Sequence, residues 1–439
     1  ALVFISILAS ITSAIFIYLL SRYWFDRSSA IFSSLLFLIS PLFWFHGEVA
    51  MIYLPETSLV LSLAFFSWKN YKEKKFYFWI IPTLIYSLLV GFRPSDALFL
   101  FPLWLMSLLR LGLREKLFSA FILILSTVTW LIPMLNEAGG IEIYFDALKD
   151  LWNRVPGAHP FGLKLFLIHS LLIFTGFVFS LGLAAPLIFI KSIKITYPKD
   201  LICFLMCWII PGLTFFSLIF FHPMTMGYAL FIYAPLLIIC GAKASRWYLD
   251  SLAPIFLKNV VVGVLIIFNI SLFFYNPMYF SWSQMKSVES YLSDMTQDVN
   301  KTFRSQDTIL IGFDTVLYGF RQVGYYLPDF KVLEYPEIQT RDGIKTFTMQ
   351  NKKTNLVNSF FDENIKNVLI ICPLLCESDV TNSHKVNYEV HIQSDLAKKL
   401  PMNSLQLLKK EGREYLLMES KYLPVLFPNT YYRPSLGGR

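Results

Sequence analysis

The sequence predicts a polytopic α-helical membrane protein carrying a small α/β domain at its C-terminal end. Three observations carry this. Hydrophobic residues make up 55% of the 439 and charged ones only 15%, outside the usual composition of soluble globular chains. Apolar runs long enough for a bilayer recur up to residue 276, and beyond it short alternating elements replace them. The division expected is therefore a transmembrane domain over 1–276 and an α/β domain over 277–439.

A bilayer core needs about 20 mostly apolar residues per helix. On that criterion ten spans are expected, near 1–20, 29–45, 53–68, 76–91, 95–110, 117–135, 163–190, 201–221, 224–242 and 259–276, with a broken or re-entrant hairpin around Gly91 as the alternative for that pair. Ala1 opens directly inside an apolar run, without a signal peptide's basic start or cleavage site. At least one segment is expected to precede it.

Charge sets the orientation. Up to Tyr275 there are 19 Lys/Arg against 12 Asp/Glu, and in the remainder 19 against 18, giving nets of +7 and +1 within the overall +8. The basic surplus sits in alternate loops: fifteen Lys/Arg fall in 21–29, 69–75, 110–116, 191–200 and 243–258, and three in 46–56, 92–96, 136–162 and 222–228. Basic loops stay cytoplasmic, so the second set and the C-terminal domain are expected outside. Such a surplus reports topology, and nucleic acid is excluded as a partner. Five cysteines are too few for a disulfide scaffold; Cys203, Cys207 and Cys240 read as small hydrophobes, and Cys372 and Cys376 as free thiols or a local disulfide.

The outer set gathers the polar chemistry: His46, Glu48, Glu56, Arg93, Asp96, Glu137, His159 and His222. In the largest of these loops Ile141, Tyr144, Phe145, Leu148, Leu151, Trp152 and Val155 recur at spacings of three and four, opposite Glu142, Asp146, Lys149, Asp150, Asn153 and Arg154. That pattern is an amphipathic helix, suited either to the plane of the membrane interface or to packing on the outer domain. Beyond Asn276, KSVESYLSDMTQDVNKTF reads as a polar helix, and TILIGF, KVLEY, NVLIIC, YEVHI and GREYLLMES as strands. No nucleotide-binding glycine motif occurs.

In FHGEVAMIYLPE, Glu48 and Glu56 are eight residues apart, so a continuous helix brings them to one face and a loop does not. They are the candidate catalytic acids, each either a general base or sugar-hydroxyl acceptor, or simply a solvated surface acid. In GFRPSD, Arg93 is either a helix-break anchor snorkelling to headgroups or a bidentate ligand for a lipid phosphate. In HPMTMGY, His222 and Tyr228 read as interface residues or as phosphate or sugar contacts. With His46, Tyr53 and Asp96, these complete the candidate binding set. Three outer histidines carry no ligand spacing that recommends a metal, and no cofactor is expected. Apart from His169 and the residues near span ends, Glu56, Asp96, Arg110 and Lys164, no Asp, Glu, Lys, Arg or His lies inside a span and no internal repeat is evident, which favours surface chemistry over ion-coupled transport.

SPLFWFHGEVAMIYLPE, VGFRPSDALFLFPLWL, WLIPMLNEAGGIEIYFDAL and HPMTMGYALFIYAPLL, in that order before a final span and an α/β domain, resemble the GT-C glycosyltransferases, specifically the family 39-like group of protein O-mannosyltransferases and aminoarabinose transferases. The resemblance implies transfer of a sugar from a polyprenyl-phosphate donor to a protein, lipid or glycan acceptor on the outer face of a prokaryotic cell membrane, or in the endoplasmic reticulum lumen of a eukaryote. It implies a catalytic acid in the first outer loop, which would lie before Ala1, so that this chain alone lacks it. Relatives often carry an Asp two residues before the loop's proline; here Tyr53 holds that position, and the acids are Glu48 and Glu56. The alternative reading is a lipid-linked glycan polymerase, ligase or flippase. A third is a non-catalytic scaffold displaying the α/β domain.

Overall fold

The computed structural model describes residues 2–49, 51–73, 79–154, 162–190, 193, 195, 197–219, 226–275, 281–313, 320–335, 338–339, 345–346, 367–371, 405–410 and 413–419. The chain divides into two compact units, 1–285 and 286–439. The first is helical: α1 (Leu2–Trp24), α2 (Arg27–Leu38), α3 (Pro41–Glu48), α4 (Tyr53–Glu73), α5 (Ile80–Phe92), α6 (Asp96–Phe99), α7 (Phe101–Leu108), α8 (Leu113–Glu137), α9 (Ile141–Arg154), α10 (Leu163–Leu181), α11 (Lys199–Leu218), α12 (Leu230–Asp250) and α13 (Ile255–Tyr275), with α14 (Trp282–Thr302) running on past the division. Two 3-10 segments accompany them: Gly182–Phe189 extends α10, and Gly227–Ala229 leads into α12.

Six helical segments are long and apolar enough to cross a membrane, and a seventh is obtained if α2 and α3, bent by 58°, form one span. Each of the ten expected spans has a helix at its place, but the expected number of full spans is not reached among the described residues. The reasons are local. α4 has 21 residues but ends in WKNYKE, and α5 has only 13, about 20 Å of helix. The stretch expected as one span at 95–110 is two short helices parted at Leu100, ahead of Pro102. The bend between α2 and α3 falls at Ser40, before Pro41, where proline disfavours a helical predecessor; the Ser40 hydroxyl donates to the Ser180 carbonyl at 2.6 Å. The chain is an integral membrane protein.

Close approach of small residues knits the centre. At Gly241 of α12 an added Cβ would run into the backbone of Ser33 in α2, and the Ser33 hydroxyl donates to the Ile238 carbonyl at 3.2 Å, the small-residue packing that apolar surroundings require. α12 is the most enclosed of the six spans. At the opposite extreme, α8 and α13 bury few of their residues within the protein. The break after α10 is held by Asn269 of α13, which accepts from the Leu183 amide at 3.2 Å and donates to the Leu181 carbonyl at 3.3 Å. Gly182 there has φ +55°, a conformation that costs glycine least. Lys243 donates to the Ile188 and Ile190 carbonyls at the far end of the same segment.

In the second unit β1 (Thr308–Phe313), α15 (Phe320–Tyr326), β2 (Lys331–Tyr335), β3 (Ile338–Gln339), β4 (Lys345–Thr346), β5 (Asn367–Ile371), β6 (Leu405–Lys410) and β7 (Arg413–Glu419) come after α14. The sheet order is β2-β1-β5-β7-β6, with β1 parallel to both neighbours and β7 antiparallel between β5 and β6; β3 and β4 form a separate antiparallel pair. Ile309, Leu310 and Ile311 are all buried, as a strand covered on both faces requires. Leu292, Met295 and Val299 of α14 pack with Leu310, Val323, Val332 and Leu369. The strands expected at TILIGF, KVLEY, NVLIIC and GREYLLMES are present, whereas YEVHI, Cys372 and Cys376 lie outside the described residues.

Candidate functional site

Helix ends create the site. α5 stops at Phe92 because Arg93 precedes Pro94, which pushes Arg93 into extended backbone, φ −150° and ψ 107°. A tight turn comes next, with the Asp96 amide donating to the Arg93 carbonyl at 2.9 Å, and α6 opens at Asp96. The Tyr86 hydroxyl, donating to the Ala97 carbonyl at 2.6 Å, ties this turn back to α5. α3 ends at Glu48 with Val49 extended, and α4 starts at Tyr53, so Glu56 lies in its first turn.

Arg93 and Glu56 meet in the interior. One guanidinium nitrogen, Nη1, donates to both Glu56 oxygens at 2.7 and 2.9 Å, and Glu56 is 2% exposed. The guanidinium lies 4.2 Å from the centre of the Tyr228 ring and 6.0 Å from that of Tyr53, within cation–π range. The two tyrosine rings are 5.0 Å apart, and His46 is 5.3 Å from Tyr53. Asp96, fully buried, lies within electrostatic reach of both Glu56 and Arg93. Neither Asp96 carboxyl oxygen nor Arg93 Nη2 has a hydrogen-bond partner among the described residues. Buried polar atoms are ordinarily satisfied, so the cluster holds unused hydrogen-bonding capacity of both signs.

Six of the eight candidate residues, His46, Tyr53, Glu56, Arg93, Asp96 and Tyr228, thus form one cluster drawn from α3, α4, the α5–α6 turn and the 3-10 turn before α12. Glu48 stands apart. The extended backbone after α3 ends any continuous helix between the two acids; Glu48 is exposed and accepts from the Trp44 indole at 3.3 Å. The face shared by Glu48 and Glu56 in a continuous helix is therefore not formed. His222 and His159 lie outside the described residues. Among the described residues, no three His, Cys, Asp or Glu side chains are grouped to hold a metal ion.

One contributor was not singled out from sequence. A Cβ at Gly227 would collide with the Tyr53 ring and come within 2.7 Å of His46 Cε1, so only glycine lets this backbone pass between α3 and α4. Met226 before it has φ +47°, a left-handed conformation uncommon outside glycine and frequent where a site is held under strain. The signal was the glycine in MTMGY, invisible without knowing what it faces.

The fold is that of a polytopic membrane protein built from broken and continuous spans, with polar side chains collected at the helix ends. Solved structures agree. No protein-family model and no curated protein matches the sequence. Among solved structures, ArnT from Cupriavidus metallidurans in the apo state matches with a TM-score of 0.59 and 10% identity over 98% of this chain and 84% of that one. ArnT from the same organism bound to undecaprenyl phosphate matches at 0.57 and 11% identity, over 95% and 83%. At such identities the likeness is one of fold.

Proposed function

We propose that the protein is a glycosyltransferase that moves a sugar from a polyprenyl-phosphate carrier to a protein, lipid or glycan acceptor at the extracytoplasmic face of a prokaryotic cell membrane. The observation that carries this reading is the Arg93 guanidinium, fixed by Glu56 and Tyr228 while Nη2 has no hydrogen-bond partner among the described residues. Fold likeness to a structure that holds undecaprenyl phosphate supports it.

In the proposed reaction the acceptor hydroxyl loses its proton to a base, its oxygen attacks the anomeric carbon, and the bond to the carrier phosphate breaks with inversion. The phosphate leaves with the electron pair. Arg93 stabilises that developing charge, joined by His222. Because Glu56 engages Arg93 through both oxygens, its part is to orient the guanidinium rather than to act as the base. The cluster carries one cation and two acids, so phosphate is held at the Nη2 edge by hydrogen bonding and not by a net positive field. Asp96, whose two oxygens have no partner among the described residues, is assigned to accept sugar hydroxyls. No metal or cofactor is invoked.

Binding of radiolabelled polyprenyl phosphate to the nanodisc-reconstituted protein tests the assignment. A hydrogen bond to a charged group contributes about 1.5–3 kcal/mol, so Arg93→Met should weaken binding roughly tenfold to a hundredfold, with Arg93→Lys intermediate. Unchanged affinity in a folded Arg93→Met protein removes the phosphate role.

A further inference from the structure

We infer that α9 lies in the plane of the lipid–water interface, its apolar face immersed in the bilayer surface on the side where α8 ends. The inference is independent of the glycosyltransferase reading. Its first support is the turn that precedes α9. At the end of α8 the Gly140 amide donates to the Leu135 carbonyl at 2.9 Å and the Gly139 amide to the Asn136 carbonyl at 3.1 Å. Gly139 and Gly140 have φ of +85° and +114°. Paired bonds of this pattern around a left-handed glycine form a Schellman cap, which ends one helix and fixes the direction in which the chain leaves.

The turn leaves no slack. The Tyr144 amide already donates to the Gly140 carbonyl at 3.1 Å, so α9 begins where the cap finishes. α8 is a 25-residue span in which Ser119 alone is buried; Leu117, Phe121, Ile124 and Ile132 are all more than half exposed. A helix pinned directly to the end of a lipid-facing span starts at the depth of the headgroups.

The second support is the surface of α9 itself. At 100° per residue, Ile141, Phe145 and Leu148 fall along one stripe, and they are 57%, 61% and 37% exposed. Glu142, Asp146 and Lys149 lie on the other side and are exposed as well. An uncovered apolar stripe opposite a charged face, anchored at a bilayer surface, matches an interfacial helix. Its five charges, Glu142, Asp146, Asp150, Lys149 and Arg154, sum to a net of −1, so apolar burial and not attraction to anionic lipid holds it.

Spin labels placed singly at 141 to 149 on the full protein, with its native cysteines replaced and the protein in nanodiscs of zwitterionic lipid, test this by power-saturation accessibility. Labels at 145 and 148 should be accessible to oxygen and shielded from an aqueous nickel chelate, with the reverse at 142, 146 and 149, and the pattern should persist when phosphatidylglycerol is added. Uniform access to the chelate would overturn the inference, as would shielding of 145 and 148 from both reagents, the sign of a protein partner or second copy on this face. Appearance of the pattern only with anionic lipid would overturn the apolar basis.

Discussion

The interior pair Glu56–Arg93 offers a test by double substitution to methionine. At 2.7 Å and an effective dielectric of about 20, Coulomb's law gives about 6 kcal/mol of gross attraction, much of it offset by the desolvation of two charges. Removing one member of such a pair typically costs about 3–5 kcal/mol, because the other is left buried without its partner. The two members are not equivalent here. Arg93→Met abandons two buried acids, Glu56 and Asp96, and should sit at the high end; Glu56→Met leaves Asp96 as counter-ion to Arg93 and should cost less. Glu56→Met/Arg93→Met should be no worse than Arg93→Met alone, a coupling of at least about 2 kcal/mol. Unfolding of the solubilised protein by titration into a denaturing detergent, followed by tryptophan fluorescence, gives the four stabilities. Additive losses within about 0.5 kcal/mol would refute the pairing on which the site is built.

Close contacts set two further outcomes. Gly227→Ala should displace the Tyr53 ring and His46, lowering polyprenyl-phosphate binding several-fold more than it lowers stability; equal binding would show that their packing does not shape the site. Asn269→Leu leaves the Leu183 amide and Leu181 carbonyl of the broken segment without their partner and should cost about 2 kcal/mol, read as a lower midpoint in the same detergent titration. No shift in midpoint would show that solvent or other groups take its place.

Sequence patterning made the helices legible because apolar runs and basic loops are local signals. α8, α10, α11 and α13 stand close to the expected limits. Less legible were the breaks. α5 ends at Phe92, one residue past the expected limit, where Pro94 acts on Arg93, but it begins only at Ile80 and so has 13 residues; the polar end of α4 shortens its apolar stretch. The site was partly legible, since polar residues at helix ends in an apolar chain are few and six of them converge. What sequence could not supply was the pairing. Glu56 reads equally well as a base or a solvated acid until Arg93, 37 residues later, is found bound to it. Glu48 looked like its twin by spacing and is separated from it by one stretch of extended backbone.

The proposed function is tested most directly by turnover of a radiolabelled polyprenyl-phosphate sugar, with the protein in its native membrane and with Arg93→Lys and Arg93→Met variants shown to be folded. Sugar released from the carrier and joined to an acceptor at a rate that falls from wild type to Arg93→Lys to Arg93→Met is the expected result. Equal rates in all three, or no transfer by the wild type with any polyprenyl-phosphate sugar, would contradict it.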